Sequence, residues 1–336
     1  MVWNRLLPTI FAPSLGLLLV ACTSDAGVDE ATDESESSMD DTSTSGDLDG
    51  DGDGDGDGDG DEQGDGDGEG DGDGDEGSAP AELPTPSGAC PSFVSGNVDL
   101  SPASIDPRTV KIWAPSSPSE GGALVIYWHA YTSAPDEALF GLSQAVIDAI
   151  TAEGGAVVAP YAASDVGQFP WFVVNGSDRQ DDMILADEIV ACAIEQLEVD
   201  PRRIHSVGMS AGGLQTTAFS MVRSRYIASV ATYSGGVLFP LSFEDPSNRF
   251  AAMIYHGGDN DVFGGAVNFK TLSTSWYNQL RENGNFAFIC DHGNGHTLPP
   301  SPGPDVWAFF QAHPFGTEPS PYEGGLPASL PAYCGL

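Results

Sequence analysis

From residue 83 onward, short apolar runs alternate with longer stretches in which apolar residues recur at helical spacing. Ala123-Leu124-Val125-Ile126-Tyr127-Trp128 and Ala156-Val157-Val158-Ala159-Pro160 are near-continuous apolar runs, the pattern of strands buried on both faces of a parallel sheet. Between them, residues 137–150 have helical spacing, and a second helix is predicted over 183–197, acidic at its start as the helix dipole prefers. Asp200-Pro201-Arg202-Arg203 then turns the chain into a strand over 203–207. Further strands are predicted at 227–233, 251–255 and 286–290, with helices after Ser210, across 268–283 and at 304–312. This alternation implies an α/β domain over residues 83–336, a mostly parallel sheet with helices on both faces. Right-handed crossovers in such a sheet bring chemistry to the carboxyl ends of the strands.

One strand end stands out. Gly208-Met209-Ser210-Ala211-Gly212-Gly213 joins the 203–207 strand to the following helix, a strand, sharp turn and helix with a serine at the tip. Glycines two before and two after Ser210 let strand and helix pack closely around a strained turn that lifts the hydroxyl above the sheet edge. A serine hydroxyl is a poor nucleophile until a histidine takes its proton, and that histidine needs a carboxylate to hold its tautomer. Both partners follow on later strand ends, in His256-Gly257-Gly258-Asp259-Asn260-Asp261 and in Asp291-His292-Gly293-Asn294-Gly295-His296. The order Ser, Asp, His on successive strand ends is that of an α/β-hydrolase. His296, flanked by flexible glycines, is better placed as base than His292; His129, His256 and His205 read as structural, and His313 has no visible partner.

The domain resembles α/β-hydrolases of the polyhydroxybutyrate depolymerase and feruloyl or acetylxylan esterase type. The resemblance covers about residues 123–313 and rests on Val199-Asp200-Pro201-Arg202-Arg203-Ile204 before the serine turn, His256-Gly257 before an aspartate, and Gly293-Asn294-Gly295-His296 with prolines beyond. It implies Ser210 as nucleophile, His296 as base and Asp261 as the orienting acid, with Asp259 the alternative, since family members place the acid a few residues past His-Gly and shortly before a valine. The oxyanion requires backbone donors. Ala211 supplies one, and the turn after the 123–128 strand supplies the second, from Ala130 or Tyr131; there the family carries His-Gly and this chain has His129-Ala130-Tyr131. Phe169-Pro170-Trp171-Phe172 falls where family members build a substrate wall, so Trp171 is expected to touch substrate or else to pack in the core.

The N-terminus is expected to carry this domain outside the cytoplasm. Arg5, the apolar stretch 6–20 and Leu19-Val20-Ala21-Cys22 read as a signal peptide over 1–21, its end resembling a bacterial lipobox, which makes Cys22 the expected lipidation site and membrane anchor. Residues 25–82 hold no lysine or arginine and 25 of the chain's 50 acidic residues. From residue 83 onward 10 basic and 25 acidic residues remain, 10 − 25 = −15, and no basic patch suggests nucleic acid. The Asp-Gly repeats have nothing apolar to bury, so residues 22–82 are expected to form an extended tether with weak cation condensation rather than a calcium site. Cys90, Cys192, Cys290 and Cys334 allow three disulfide connectivities, of which Cys90 with Cys334 is preferred because it would pin the two ends of the domain. No metal or organic cofactor is expected. The reading is an exported, lipid-anchored serine hydrolase of carboxylic esters, polymeric ones included. A serine peptidase or thioesterase on the same residues, and a non-catalytic cell-surface binding module, are the alternatives.

Overall fold

The computed structural model describes residues 79–336. The expected signal peptide, Cys22 and nearly all of the acidic tether lie outside the described residues. In chain order the elements are β1 (Gly96–Leu100), β2 (Arg108–Trp113), β3 (Leu124–Trp128), α1 (Gln144–Ala152), β4 (Ala156–Pro160), α2 (Asp181–Leu197), β5 (Ile204–Met209), α3 (Ala211–Val222), β6 (Ser229–Tyr233), β7 (Ala251–His256), β8 (Val262–Phe263), β9 (Val267–Asn268), α4 (Phe269–Glu282), β10 (Ala287–Asp291), α5 (Gly303–Ala312) and β11 (Cys334–Gly335). Nine strands form one sheet in the order β1-β2-β4-β3-β5-β6-β7-β10-β11, while β8 and β9 pair as a separate two-stranded ribbon. The six central strands run parallel. β2 is antiparallel to both of its neighbours, and β11 to β10.

The apolar runs form the fully buried centre of this sheet, because a strand covered on both faces has no polar side to show. Leu124, Ile126 and Trp128 of β3 point to one face, packing with Leu185 and Ile189 of α2, Phe219 of α3 and Trp276 of α4. Val125 and Tyr127 point to the other, against Ile147 and Ile150 of α1 and Phe309 and Phe310 of α5. The antiparallel strands at one side of the sheet follow a different rule: β2 alternates buried and half-buried residues, and the edge strand β1 is mostly exposed, so neither forms a continuous apolar run. The predicted 137–150 helix is also divided, into a 3₁₀ turn (Pro135–Glu137), a π-helical turn (Leu139–Ser143) and α1. Arg108 of β2 forms a buried ion pair with Asp182 at 3.2 Å, and the second oxygen of Asp182 accepts from the Phe172 N–H at 2.7 Å, tying the antiparallel extension to α2 and to the 169–172 loop.

The disulfides are Cys90–Cys192 and Cys290–Cys334, which corrects the expected Cys90–Cys334 pairing. β1, just beyond Cys90, and β11, which carries Cys334, are opposite edges of the sheet. Nine strands at about 4.8 Å spacing separate those edges by on the order of 40 Å, far beyond the reach of one disulfide. Each bridge instead fastens one end of the domain to its local support, α2 or β10. Glu188 lies beside the Cys90–Cys192 pair, but the sulfurs are bonded to each other, and its carboxylate accepts from the Ser87 N–H and hydroxyl and the Gly88 N–H.

His313 finds the partners that its sequence context conceals. Its Nδ1–H donates to the Phe309 carbonyl at 2.8 Å, its Nε2 accepts from Ser320 Oγ at 2.7 Å, and its ring lies between Phe286 and Tyr322. Burial lowers its pKa to about 4, against the carbonyl bond, which raises it. The unfolded chain takes up this proton near the ordinary value of 6.5 and the folded chain only near 4. The resulting stabilisation is therefore complete above pH 6.5 and disappears as pH falls toward 4, a loss of roughly 3 kcal/mol. Urea midpoints measured near neutrality and near the lower value are expected to converge in His313→Gln by about that share; an unchanged gap would count against the assignment.

Candidate active site

β5 ends at Met209 and α3 begins at Ala211, so Ser210 alone makes the turn between them, with φ 55° and ψ −114°. A non-glycine residue in this region costs on the order of 1–3 kcal/mol and is held only where its surroundings over-determine it. Here the Ser210 N–H donates to the Tyr233 carbonyl at 2.8 Å, and the helix crosses the sheet so closely that a Cβ on Gly212 would sit 1.8 Å from the Trp128 carbonyl oxygen. A Cβ on Gly208 would lie 2.4 Å from the Gly212 oxygen, so both glycines of the turn are sterically required. Thr132 after β3 and Ser234 after β6 also have positive φ, which gathers three strained non-glycine residues at neighbouring strand ends.

Ser210 Oγ lies 2.8 Å from His296 Nε2, and His296 Nδ1 lies 2.7 Å from Asp261 Oδ1. Asp261 is fully buried, and its other oxygen accepts from the Ser234 hydroxyl and the Gly257 N–H, each at 2.8 Å. Burial works to raise the pKa of Asp261, but the hydrogen bonds from His296, Gly257 and Ser234 together outweigh it and hold the carboxyl below its ordinary range. The buried face of His296 stacks on Phe269 at 4.5 Å between centroids, and the Phe269 N–H donates to the Asp261 carbonyl, so the base and the acid share one support. Asp259 points away from this chain. Its side chain is 88% exposed and pairs with Lys270 at 2.7 Å.

The remaining histidines stand apart from it. His292 accepts from the Asn294 N–H and packs beside Tyr333, and His256 accepts from the Gly258 N–H. His205 stacks on Phe310 beneath the sheet, 2.9 Å from Ser229 Oγ. His129, just after β3, lies against Trp171, with Nδ1 2.9 Å from the Ala130 carbonyl.

Two expectations for the surrounding residues are corrected. Trp171 does not face the site: it is wholly buried, edge-on to Trp128 at 4.9 Å, and its indole N–H donates to the His129 carbonyl. A tryptophan whose only polar atom is satisfied beneath the turn serves packing, not substrate contact. Phe169, two residues earlier, takes the place expected of it, lining a cavity of 60 Å³ with Tyr131, Ser210, Ala211 and Phe263. The second correction concerns Ala130, whose N–H donates to the Glu137 carboxylate at 3.1 Å and is not free to meet a substrate. Of the two candidate donors this leaves Tyr131, which lines the cavity beside Ala211. Ala211, as the first residue of α3, carries one of the helix N–H groups that have no partner within the helix. Glu137 also accepts from the Tyr127 hydroxyl at 3.1 Å, and burial raises its pKa against these hydrogen bonds. A larger cavity of 540 Å³, lined by Arg225, Arg249, Glu82 and Glu318 among others, includes none of Ser210, Asp261 and His296.

No family model matches this chain, and no curated protein matches it. Solved structures do. Native sOPH aligns with a TM-score of 0.59 at 17% identity, over 75% of this chain and 96% of its own. Native pOPH aligns with a TM-score of 0.57 at 16% identity, over 76% and 96%. The fold is that of an α/β-hydrolase. On this fold the ends of β5, β7 and β10 hold Ser210, Asp261 and His296, in the chain order read from the sequence. Ser234, Phe269, Glu137 and Phe263 escaped that reading. The only sequence sign of Ser234 is a serine followed by two glycines at a strand end.

Proposed function

We propose that the protein is a serine hydrolase of carboxylic esters working through an acyl-enzyme. The observation that carries this reading is the unbroken hydrogen-bonded path from Ser210 Oγ through both ring nitrogens of His296 to the buried Asp261. In the proposed reaction Oγ attacks the ester carbonyl carbon while Nε2 takes its proton, and the carbonyl electrons move onto the oxygen, facing the N–H groups of Ala211 and Tyr131. The intermediate collapses, the C–O bond breaks, and the imidazolium returns its proton to the departing alkoxide. Water, deprotonated by the same nitrogen, then releases the acid and regenerates Ser210. Asp261, kept ionised by its three donors, steadies the imidazolium in both halves.

The test is a panel of soluble esters, insoluble polyesters and acylated polysaccharides, together with a peptide and a thioester, assayed against the wild type and Ser210→Ala. Ester turnover that depends on Ser210 supports the proposal. Turnover of the peptide or thioester alone points to the alternative chemistry, and failure of a fluorophosphonate to label Ser210 removes enzymatic function altogether. Export and anchoring through Cys22 belong to the same proposal, supported by the lipobox-like Leu19-Val20-Ala21-Cys22. Among the described residues no helix is long and apolar enough to cross a membrane. Wild-type protein is expected in the membrane fraction and Cys22→Ser in the soluble one; equal partitioning would refute the anchor.

A further inference from the structure

Three cavities follow one another along α3. The first, 60 Å³, holds Ser210 and Ala211 and is walled by Tyr131, Phe169 and Phe263. The second is a constriction of 10 Å³ that shares Val174, Leu214 and Leu238 with the first. The third, 210 Å³, shares Val173, Ala218 and Leu241 with the constriction. Leu214, Ala218 and Val222, four residues apart, fall on one face of the helix and recur along the row. At 1.5 Å per residue, the path from Ser210 to Val222 is about 18 Å. Phe239, in the loop after β6, lines the second cavity together with Val173 and Val174; its ring is 41% exposed and its tip lies in ordinary contact range of Gly176, where a Cβ would be 3.4 Å away. A large apolar, partly exposed side chain thus lines the narrowest point of the row.

Resting on the ester-hydrolase reading, we infer that this row is an acyl channel and that Phe239 closes it, limiting the enzyme to esters of short apolar acids. The carbonyl sits at Ser210, a few carbons fill the aromatic cavity, and a longer unbranched aliphatic chain meets Phe239 at the constriction. The occupant is an aliphatic chain because the first two cavities are lined almost wholly by Val, Leu, Ala, Phe and Tyr, and the channel starts at the attacking oxygen. The far cavity, with Arg179, Gln180 and the unpartnered buried Oε1 of Gln215, is open to a longer chain only when Phe239 is removed.

The experiment compares kcat/KM for p-nitrophenyl butyrate and decanoate in wild type, Phe239→Ala and Phe239→Trp, and repeats it with butyl and decyl acetate, which carry the length on the alcohol side. Wild type is expected to favour butyrate. Since a single methylene in an apolar pocket is worth about tenfold or more, Phe239→Ala is expected to raise the decanoate-to-butyrate ratio by at least about tenfold, and Phe239→Trp to lower it. A ratio unchanged in Phe239→Ala, with butyrate still hydrolysed, overturns the channel and leaves the esterase reading standing. A length effect seen with the acetates instead overturns the acyl assignment. Absence of hydrolysis of every ester by wild type overturns both.

Discussion

Replacing Ser210 by alanine is expected to lower kcat for a soluble ester such as p-nitrophenyl butyrate by about a millionfold, with KM little changed. The size follows from the cooperation of the three groups. Without Oγ, His296 has no proton to take and Asp261 has no imidazolium to steady, so the single change removes the contribution of all three. What is expected to survive is the backbone contribution, the N–H groups of Ala211 and Tyr131 proposed to meet the carbonyl, with water reacting there slowly. Folding is not at issue, because alanine keeps the Ser210 N–H bond to Tyr233 and the crowded approach of Gly212 to Trp128. A variant that folds with the wild-type melting temperature and keeps more than a small fraction of the rate would end the proposal.

Exchange of Asp261 for asparagine is expected to cost about ten-thousandfold in kcat, near 5.5 kcal/mol of barrier. The local bonds say why. Oδ2 accepts from both Ser234 and Gly257, so an amide placed there keeps its oxygen toward those two donors and turns its NH2 toward His296. Nδ1 must then accept, the ring proton moves to Nε2, and the nitrogen that should receive the serine proton already carries one. The control is Asp259→Asn, which breaks only an exposed pair with Lys270 and is expected to leave kcat unchanged. If the two variants behaved alike, or if the order were reversed, the assignment of the acid would be wrong.

The parts of this molecule legible in its sequence are those specified by local pattern. The six parallel strands are apolar because both of their faces are covered, and the serine turn announces itself through glycines that the helix-to-sheet distance demands. Other parts depend on arrangements that no short stretch encodes. β1 is mostly exposed because it forms the rim, β2 beside it alternates in burial, and the antiparallel order emerges only when they pair. The disulfides follow from which sheet edge each cysteine reaches. Asp259 and Asp261 are two residues apart and equally acidic in the sequence; the turn Gly258–Asn260 sends one into the interior and the other to Lys270. Trp171 and Phe169 were interchangeable as members of an aromatic run until the His129 carbonyl claimed the indole. Ala130 and Tyr131 were separated by Glu137, seven residues away.

The three donors around Asp261 come from the loops after β6, β7 and β10, so this one carboxylate knots together the ends of three adjacent parallel strands. A carboxylate so placed is a fastening as well as a reagent. The geometry of the site therefore depends on those three strands keeping their register. Heat inactivation and loss of the fold are therefore expected to coincide.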